Sequence, residues 1–122
     1  MTTASEEILA RYKKREIETD TFGRAITVRR LRPSEQTALM RMADTEVPQA
    51  ISAMTVGASV CQMDEGLITF PKTLGELNAV LDALDEEGLS AATKAYIRLQ
   101  KGAPEGATDQ ADAAKNSQAT SS

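Results

Sequence analysis

The chain has no histidine, no tryptophan and a single cysteine, Cys61, among its 122 residues. Histidine is the side chain that most often serves as a general base or a metal ligand, and its absence prevents a Ser–His or Cys–His dyad within the chain. One cysteine cannot form an internal disulfide, which is typical of proteins in reducing compartments. We therefore predict no catalytic residue, no metal and no cofactor.

Aromatic residues make up only 3% of the sequence, and long apolar runs are missing. No segment approaches the ~18 apolar residues of a membrane span, and the first residues lack the features of a signal peptide. We therefore expect an intracellular, soluble protein that binds no membrane. The apolar fraction of 41% is enough for one modest core of aliphatic and methionine side chains.

Charge is distributed unevenly along the chain. Residues 1–32 carry eight basic and five acidic side chains, whereas residues 33–122 carry six basic and thirteen acidic ones. This polarity suits head-to-tail contacts between copies or a charged partner, and an ordinary solvated surface would show it too. Basic residues cluster between Arg24 and Arg32, but only Phe22 lies near enough to stack on a base. Nucleic-acid binding is therefore not predicted.

The first third of the chain predicts a helical arm and a β-hairpin. Ser5 is a candidate N-cap for a helix within residues 1–14, because acidic residues follow it. Residues 15–30 alternate in polarity around the turn formers of Asp20–Gly23, which predicts two strands. We expect three apolar residues to share one strand face: Phe22, Ile26 and Val28.

Two proline-initiated helices and a second hairpin are predicted next. The helices begin at Pro33 and Pro48, and the apolar face of the second extends to Cys61, which indicates a small buried residue rather than a nucleophile. Strands over 60–63 and 67–70 flank a short turn in which Gly66 is expected to take the left-handed conformation.

Two further helices are predicted before residue 102. Thr73 and Glu76 have the spacing of a capping box for a helix that runs to Leu84 and closes at Gly88. Ser90 begins the last helix. Residues 102–122 contain no large apolar side chain, so they are expected to form a disordered tail.

These elements together predict a mainly helical α+β fold. One small domain over residues 15–101 would hold an N-terminal β-hairpin, a short second hairpin and four or five helices in total with the arm. It would lie between the helical arm, 1–14, and the disordered tail, 102–122.

The order of these elements resembles the tail assembly chaperones of long-tailed bacteriophages over about residues 16–100. The resemblance lies in the following segments: Thr21–Leu31, Pro33–Glu35, Ala53–Cys61, Asp64–Gly66 and Thr73–Leu77. It implies a non-enzymatic protein of the host cytoplasm that binds the apolar, helical tape-measure protein and helps to recruit tail-tube subunits. It also implies absence from the mature virion. Ala114-Lys115-Asn116 is compatible with a ribosomal frameshift site that would yield a longer product.

Four apolar residues fall outside the main helix faces and are our candidates for partner binding: Met40, Val56, Val60 and Ile97. Burial against the domain's own core is the competing interpretation for each of them. The alternative functions are a structural component of a tail or baseplate and a small nucleic-acid-binding regulator.

Overall fold

A computed structural model describes residues 3–101, which form four helices and one four-stranded antiparallel sheet. The predicted α+β class with a helical majority is confirmed, whereas the predicted tail, 102–122, lies outside the described residues. The elements in chain order are α1 (Ala4–Lys13), β1 (Arg15–Thr19), β2 (Ala25–Arg29), α2 (Pro33–Met42), α3 (Pro48–Ser59), β3 (Val60–Met63), β4 (Gly66–Leu67) and α4 (Leu74–Lys101).

Both predicted hairpins belong to a single sheet with strand order β1-β2-β3-β4. Thr27 of β2 pairs with Gln62 of β3, but its neighbour Val28 pairs with Val60, so β3 contains a bulge at Cys61. Cys61 therefore lies in a strand and not on the predicted helix, which ends at Ser59. Its Sγ lies 3.7 Å from the carbonyl oxygen of Thr27.

The larger part of the core lies between the sheet and the second half of α4. Ile26 and Val28 are fully buried on one face of β2. The helix residues that pack in the same cluster are mostly small: Ala91, Ala92, Ala95 and Leu99. Alanine lets the helix approach the sheet closely, which leaves little unfilled space.

A second buried cluster joins α2 and α3 to the first half of α4. Its members come from these helices and the segment before α2: Leu31, Leu39, Met54, Ala58 and Leu77. Gly57 of α3 packs against α4, where a Cβ placed on it would lie 2.5 Å from Cδ2 of Leu81. A side chain at position 57 would therefore require the side chain of Leu81 to move.

The predicted pair of C-terminal helices is confirmed, but the two helices meet directly at a kink within α4, at Asp85, where φ is 56° and ψ is −169°. The predicted closure at Gly88 is wrong, because Gly88 is buried inside the second half of α4. A Cβ at Gly88 would lie 3.0 Å from Nη2 of Arg24 and 3.1 Å from Cβ of Leu84. Close packing, rather than a positive φ, therefore accounts for this glycine.

Arg24 holds the kink in place from the β1–β2 turn. Its guanidinium donates to the carbonyl oxygens of Ala83 and Leu84, each at 2.7 Å, and to Oδ2 of Asp20 at 2.7 Å. A kink removes intrahelical partners from carbonyl groups, and this cation replaces them. Burial alone would raise the pKa of Asp20. The backbone N–H groups of Arg24 and Phe22 and the guanidinium of Arg24 outweigh burial, and the pKa is lowered.

Several local predictions are corrected at the ends of elements. Thr3, not Ser5, caps α1, and its side chain and Glu6 form a capping box. The left-handed residue of the β3–β4 turn is Asp64, with φ 54°, and not Gly66. Phe22 lies in the β1–β2 turn and is 73% exposed, so it does not share the buried face of β2. The last strand spans only Gly66–Leu67 rather than four residues.

The predicted capping box at the start of α4 is confirmed in part. The Glu76 N–H donates to Oγ1 of Thr73 at 3.1 Å, as expected. The Glu76 carboxylate accepts from the N–H of Lys72 at 2.8 Å rather than from that of Thr73. This contact fixes the chain just before α4.

Candidate binding surfaces

The structure does not bring the four predicted partner-binding residues together. Val56 and Val60 are buried in the cluster between the sheet and α4, so their place on the candidate surface is wrong. They lie at the junction of α3 and β3, which is enclosed by β2 and α4. Met40 of α2 and Ile97 of α4 are exposed, and they lie on separate helices.

One row of cross-strand neighbours runs across the whole sheet, with exposed aliphatic residues at its two ends and two polar residues between them, of which Thr27 is buried. Ile17, Thr27, Gln62 and Leu67 are paired in register from β1 to β4, and we call them the sheet row. Because side chains alternate along each strand, the row lies on the face opposite Ile26 and therefore opposite α4. Ile17 is 57% exposed and Leu67 is 81% exposed. The row therefore presents aliphatic side chains to solvent at both edges of the sheet.

The edge of β1 beside the sheet row is covered by a cation from α4. Arg98 donates to the carbonyl oxygen of Ile17 at 2.7 Å, to Glu18 at 2.6 Å and to Glu16 at 3.1 Å. An arginine that occupies an edge carbonyl opposes the addition of another strand. The accessible feature at this side of the molecule is therefore the face of the sheet rather than its edge.

A groove of about 500 Å³ lies between α2 and the segment before α4, and we call it the α2 groove. Its apolar lining residues are Ala38, Met42, Phe70 and Pro71, and two basic residues, Arg41 and Lys72, complete it. Neither basic side chain forms a salt bridge within residues 3–101. The groove therefore combines an apolar lining with two cations that are free to meet acidic groups.

The cluster around Leu39 shapes the α2 groove. Met42 and Phe70 pack against this buried cluster on one side and line the groove on the other. The contact between Lys72 and Glu76 fixes the backbone next to Phe70 and Pro71. Helix and loop thus both contact the core next to the groove.

Helix α1 has no buried residue. Its two aliphatic side chains, Ile8 and Leu9, are about half exposed. The helix is joined to the body at its C-terminal end, where the guanidinium of Arg32 lies 4.9 Å from the centre of the Tyr12 ring. The predicted arm at residues 1–14 is therefore helical over Ala4–Lys13.

Within residues 3–101, no cluster of three or more histidine, cysteine or acidic side chains has the proximity needed to hold a metal ion. No helix in the same range has both the length and the apolar character of a membrane span. The chain matches no protein-family model, no curated protein and no solved structure.

Sequence patterns indicated parts of both surfaces without locating them. The alternation of polarity along β1 indicated that Ile17 lies on one face of a strand. Which of the two faces is buried depends on where α4 packs. Phe70 and Arg41 lie almost thirty residues apart, so only the tertiary fold reveals that they line one groove. The missed residues carry no distinctive local motif.

Proposed function

We infer that this chain is a tail assembly chaperone of a long-tailed bacteriophage and that it binds a helical segment of the tape-measure protein. The resemblance of residues 16–100 to that family supports the kind of client. On the same basis, the chain would help to recruit tail-tube subunits in the host cytoplasm and would be absent from the finished virion. The role is non-enzymatic.

The sheet row is the observation that carries this proposal. It crosses all four strands on the face opposite α4, and its aliphatic ends, Ile17 and Leu67, are the kind of groups that an apolar helix covers. Three strand spacings separate them, or about 14 Å. A helix with its side chains is about 10–12 Å wide, so one client helix would span most of the row. The client would add a helix layer to the second face of the sheet.

The test is co-expression of the tagged chain with the long helical protein encoded beside its gene. The variant carries Ile17→Gln and Leu67→Gln, and the matched control is Phe22→Gln, an apolar residue outside the row whose exposure lies between those of Ile17 and Leu67. Loss of two aliphatic contacts should reduce recovery of the soluble partner at least about tenfold, because each buried aliphatic side chain contributes about 1.5 kcal/mol or more. Phe22→Gln should leave recovery unchanged.

Failure of the wild-type chain to retain the partner would overturn the proposal. Mass spectrometry of purified particles separates the chaperone from a structural tail component. A chaperone should be missing from the particles, whereas a stoichiometric signal would favour the structural role.

A further inference from the structure

We propose that copies of this chain associate head to tail, with α1 of one copy docked in the α2 groove of the next. This inference does not depend on the proposed function, because it concerns two surfaces of the chain itself. The arm and the groove share no residue with the sheet row.

The first argument is the state of α1. Isolated helices shorter than about 12–15 residues are marginal in water, and most helices in proteins are stabilised by packing of an apolar face. Helix α1 has ten residues and none is buried, although Ile8 and Leu9 offer an apolar surface. Its capping box is local and supplies no packing. A partner that covers these two side chains would provide the missing contacts.

The second argument is complementarity of charge and polarity between the arm and the groove. Glu6 and Glu7 occupy the first turn of α1, directly before Ile8 and Leu9, whereas the basic residues Arg11 and Lys13 occupy its last turn. The carboxylate of Glu6 accepts from the N–H of Thr3, so Glu7 is the acidic group available to a partner. The groove places Arg41 and Lys72 beside its apolar lining. The start of the arm therefore offers the acidic Glu7 beside two aliphatic side chains, and the groove offers their counterparts. Opposite charges at such a contact favour association and fix its direction.

The third argument concerns the origin of the arm. Arg15 donates to the carbonyl oxygens of Tyr12 and Lys14 at 3.0 and 3.1 Å, and Arg32 stacks on Tyr12, so the end of α1 is held at the start of α2. The α2 groove lies at the other end of α2, and no residue of α1 lines it. The groove is thus not filled by the arm of its own copy, which leaves it open to the arm of a second copy.

An arm-to-groove contact is heterologous, because each copy uses its arm once and its groove once. Successive copies would form an open chain or a ring. The contact would use no residue of the sheet row. Several such rows on one assembly would bind an elongated client far more tightly than one row does.

The test is the molar mass of the purified full chain across a concentration series, measured by light scattering during gel filtration. The arm variant carries Ile8→Gln and Leu9→Gln, and the groove variant carries Arg41→Glu and Lys72→Glu. All four positions are exposed, so the fold should survive, which circular dichroism checks. Wild type and the Phe22→Gln control should show a mass that rises with concentration. Each variant should associate at least tenfold more weakly.

Mixing the two variants gives the decisive measurement. The arm variant keeps an intact groove and the groove variant keeps an intact arm, so an equimolar mixture should form a complex of two chains that does not grow further. Adding Glu7→Arg to the groove variant should restore its self-association through reversed charges. A wild type that stays monomeric, association that neither variant weakens, or a mixture that stays monomeric would each overturn the proposal. None of these results bears on retention of the tape-measure protein, which is tested at Ile17 and Leu67.

Discussion

The two halves of α4, before and after Asp85, are held to the rest of the molecule in different ways. The second half packs on the sheet through small alanines, and Arg98 fastens it to β1. Arg24 binds the carbonyl groups of Ala83 and Leu84, the last residues before the kink. The first half packs against α2 and α3 through larger aliphatic side chains such as Leu77. Among the described contacts, its charged fastening is confined to its last two residues, which Arg24 binds.

This difference separates a rigid part of the molecule from an adaptable one. Close packing and multiple hydrogen bonds leave the sheet and the second half of α4 little freedom to move. The helical part borders the open α2 groove, where Met42 and Phe70 can adjust to an occupant. A fixed platform thus presents the sheet row, and a more deformable wall lines the groove.

The largest expected effect compares Leu99→Ala with Leu39→Ala, one from each part. Both side chains are 1% exposed. Leu99→Ala should lower the free energy of unfolding by about 4 kcal/mol, because the sheet and the alanines around it cannot collapse into the cavity. Leu39→Ala should cost about 2–3 kcal/mol, because the groove wall can move inward. Urea denaturation followed by circular dichroism measures both.

Equal costs for the two substitutions would break the proposed contrast in rigidity. A cost for Leu39→Ala that exceeds that for Leu99→Ala would reverse it.

The next effect tests the fastening at the kink. Arg24→Met keeps an apolar stem but leaves the carbonyl groups of Ala83 and Leu84 and the carboxylate of Asp20 without their charged donor. Unpaired carbonyl groups should lower the free energy of unfolding by about 2 kcal/mol. Arg24→Lys should not restore it, since an ammonium group cannot reach three acceptors in a fixed fork. Thermal denaturation at pH 7 measures the loss.

Arg29→Met is the matched control, because it removes the partly exposed ion pair with Glu35 and should cost less than about 1 kcal/mol. Acid provides a second check. The pKa of Asp20 is lowered in the folded state, so its stabilisation is present above the unfolded carboxyl pKa of about 4 and is lost as pH falls through the folded value. The difference in the free energy of unfolding between wild type and Arg24→Met should therefore become smaller in acid. A difference that does not change with pH would show that the ionised Asp20 contributes nothing to the stability supplied by Arg24.

Features with local causes could be predicted from the sequence. Turn formers of the first hairpin identify its reversal, and Asp20 accepts from the N–H groups of Phe22 and Arg24 at 2.9 Å, as such turns require. Thr73 caps α4 through spacing that is visible in the chain. In each case, the interacting groups lie within four residues of one another.

Features with distant causes could not be predicted. The bulge at Cys61 arises where β3 meets β2, over thirty residues away in the chain. Burial of Val56 and Val60 depends on α4 closing over their junction with the sheet. The kink falls at Asp85 rather than at Gly88 because Arg24, some sixty residues earlier, supplies the donors there. The candidate surfaces share this dependence on long-range packing.

The smallest effect concerns the kink residue itself. Asp85 adopts a backbone conformation, φ 56° and ψ −169°, that only glycine takes without strain. Asp85→Gly should therefore raise the free energy of unfolding by about 1 kcal/mol, after the entropy cost of glycine is subtracted. Asp82→Gly, in the regular part of the same helix, should lower it by about 0.5 kcal/mol. The opposite signs distinguish relief of strain from a general effect of glycine, and destabilisation by both substitutions would show that the two halves of α4 are joined without strain.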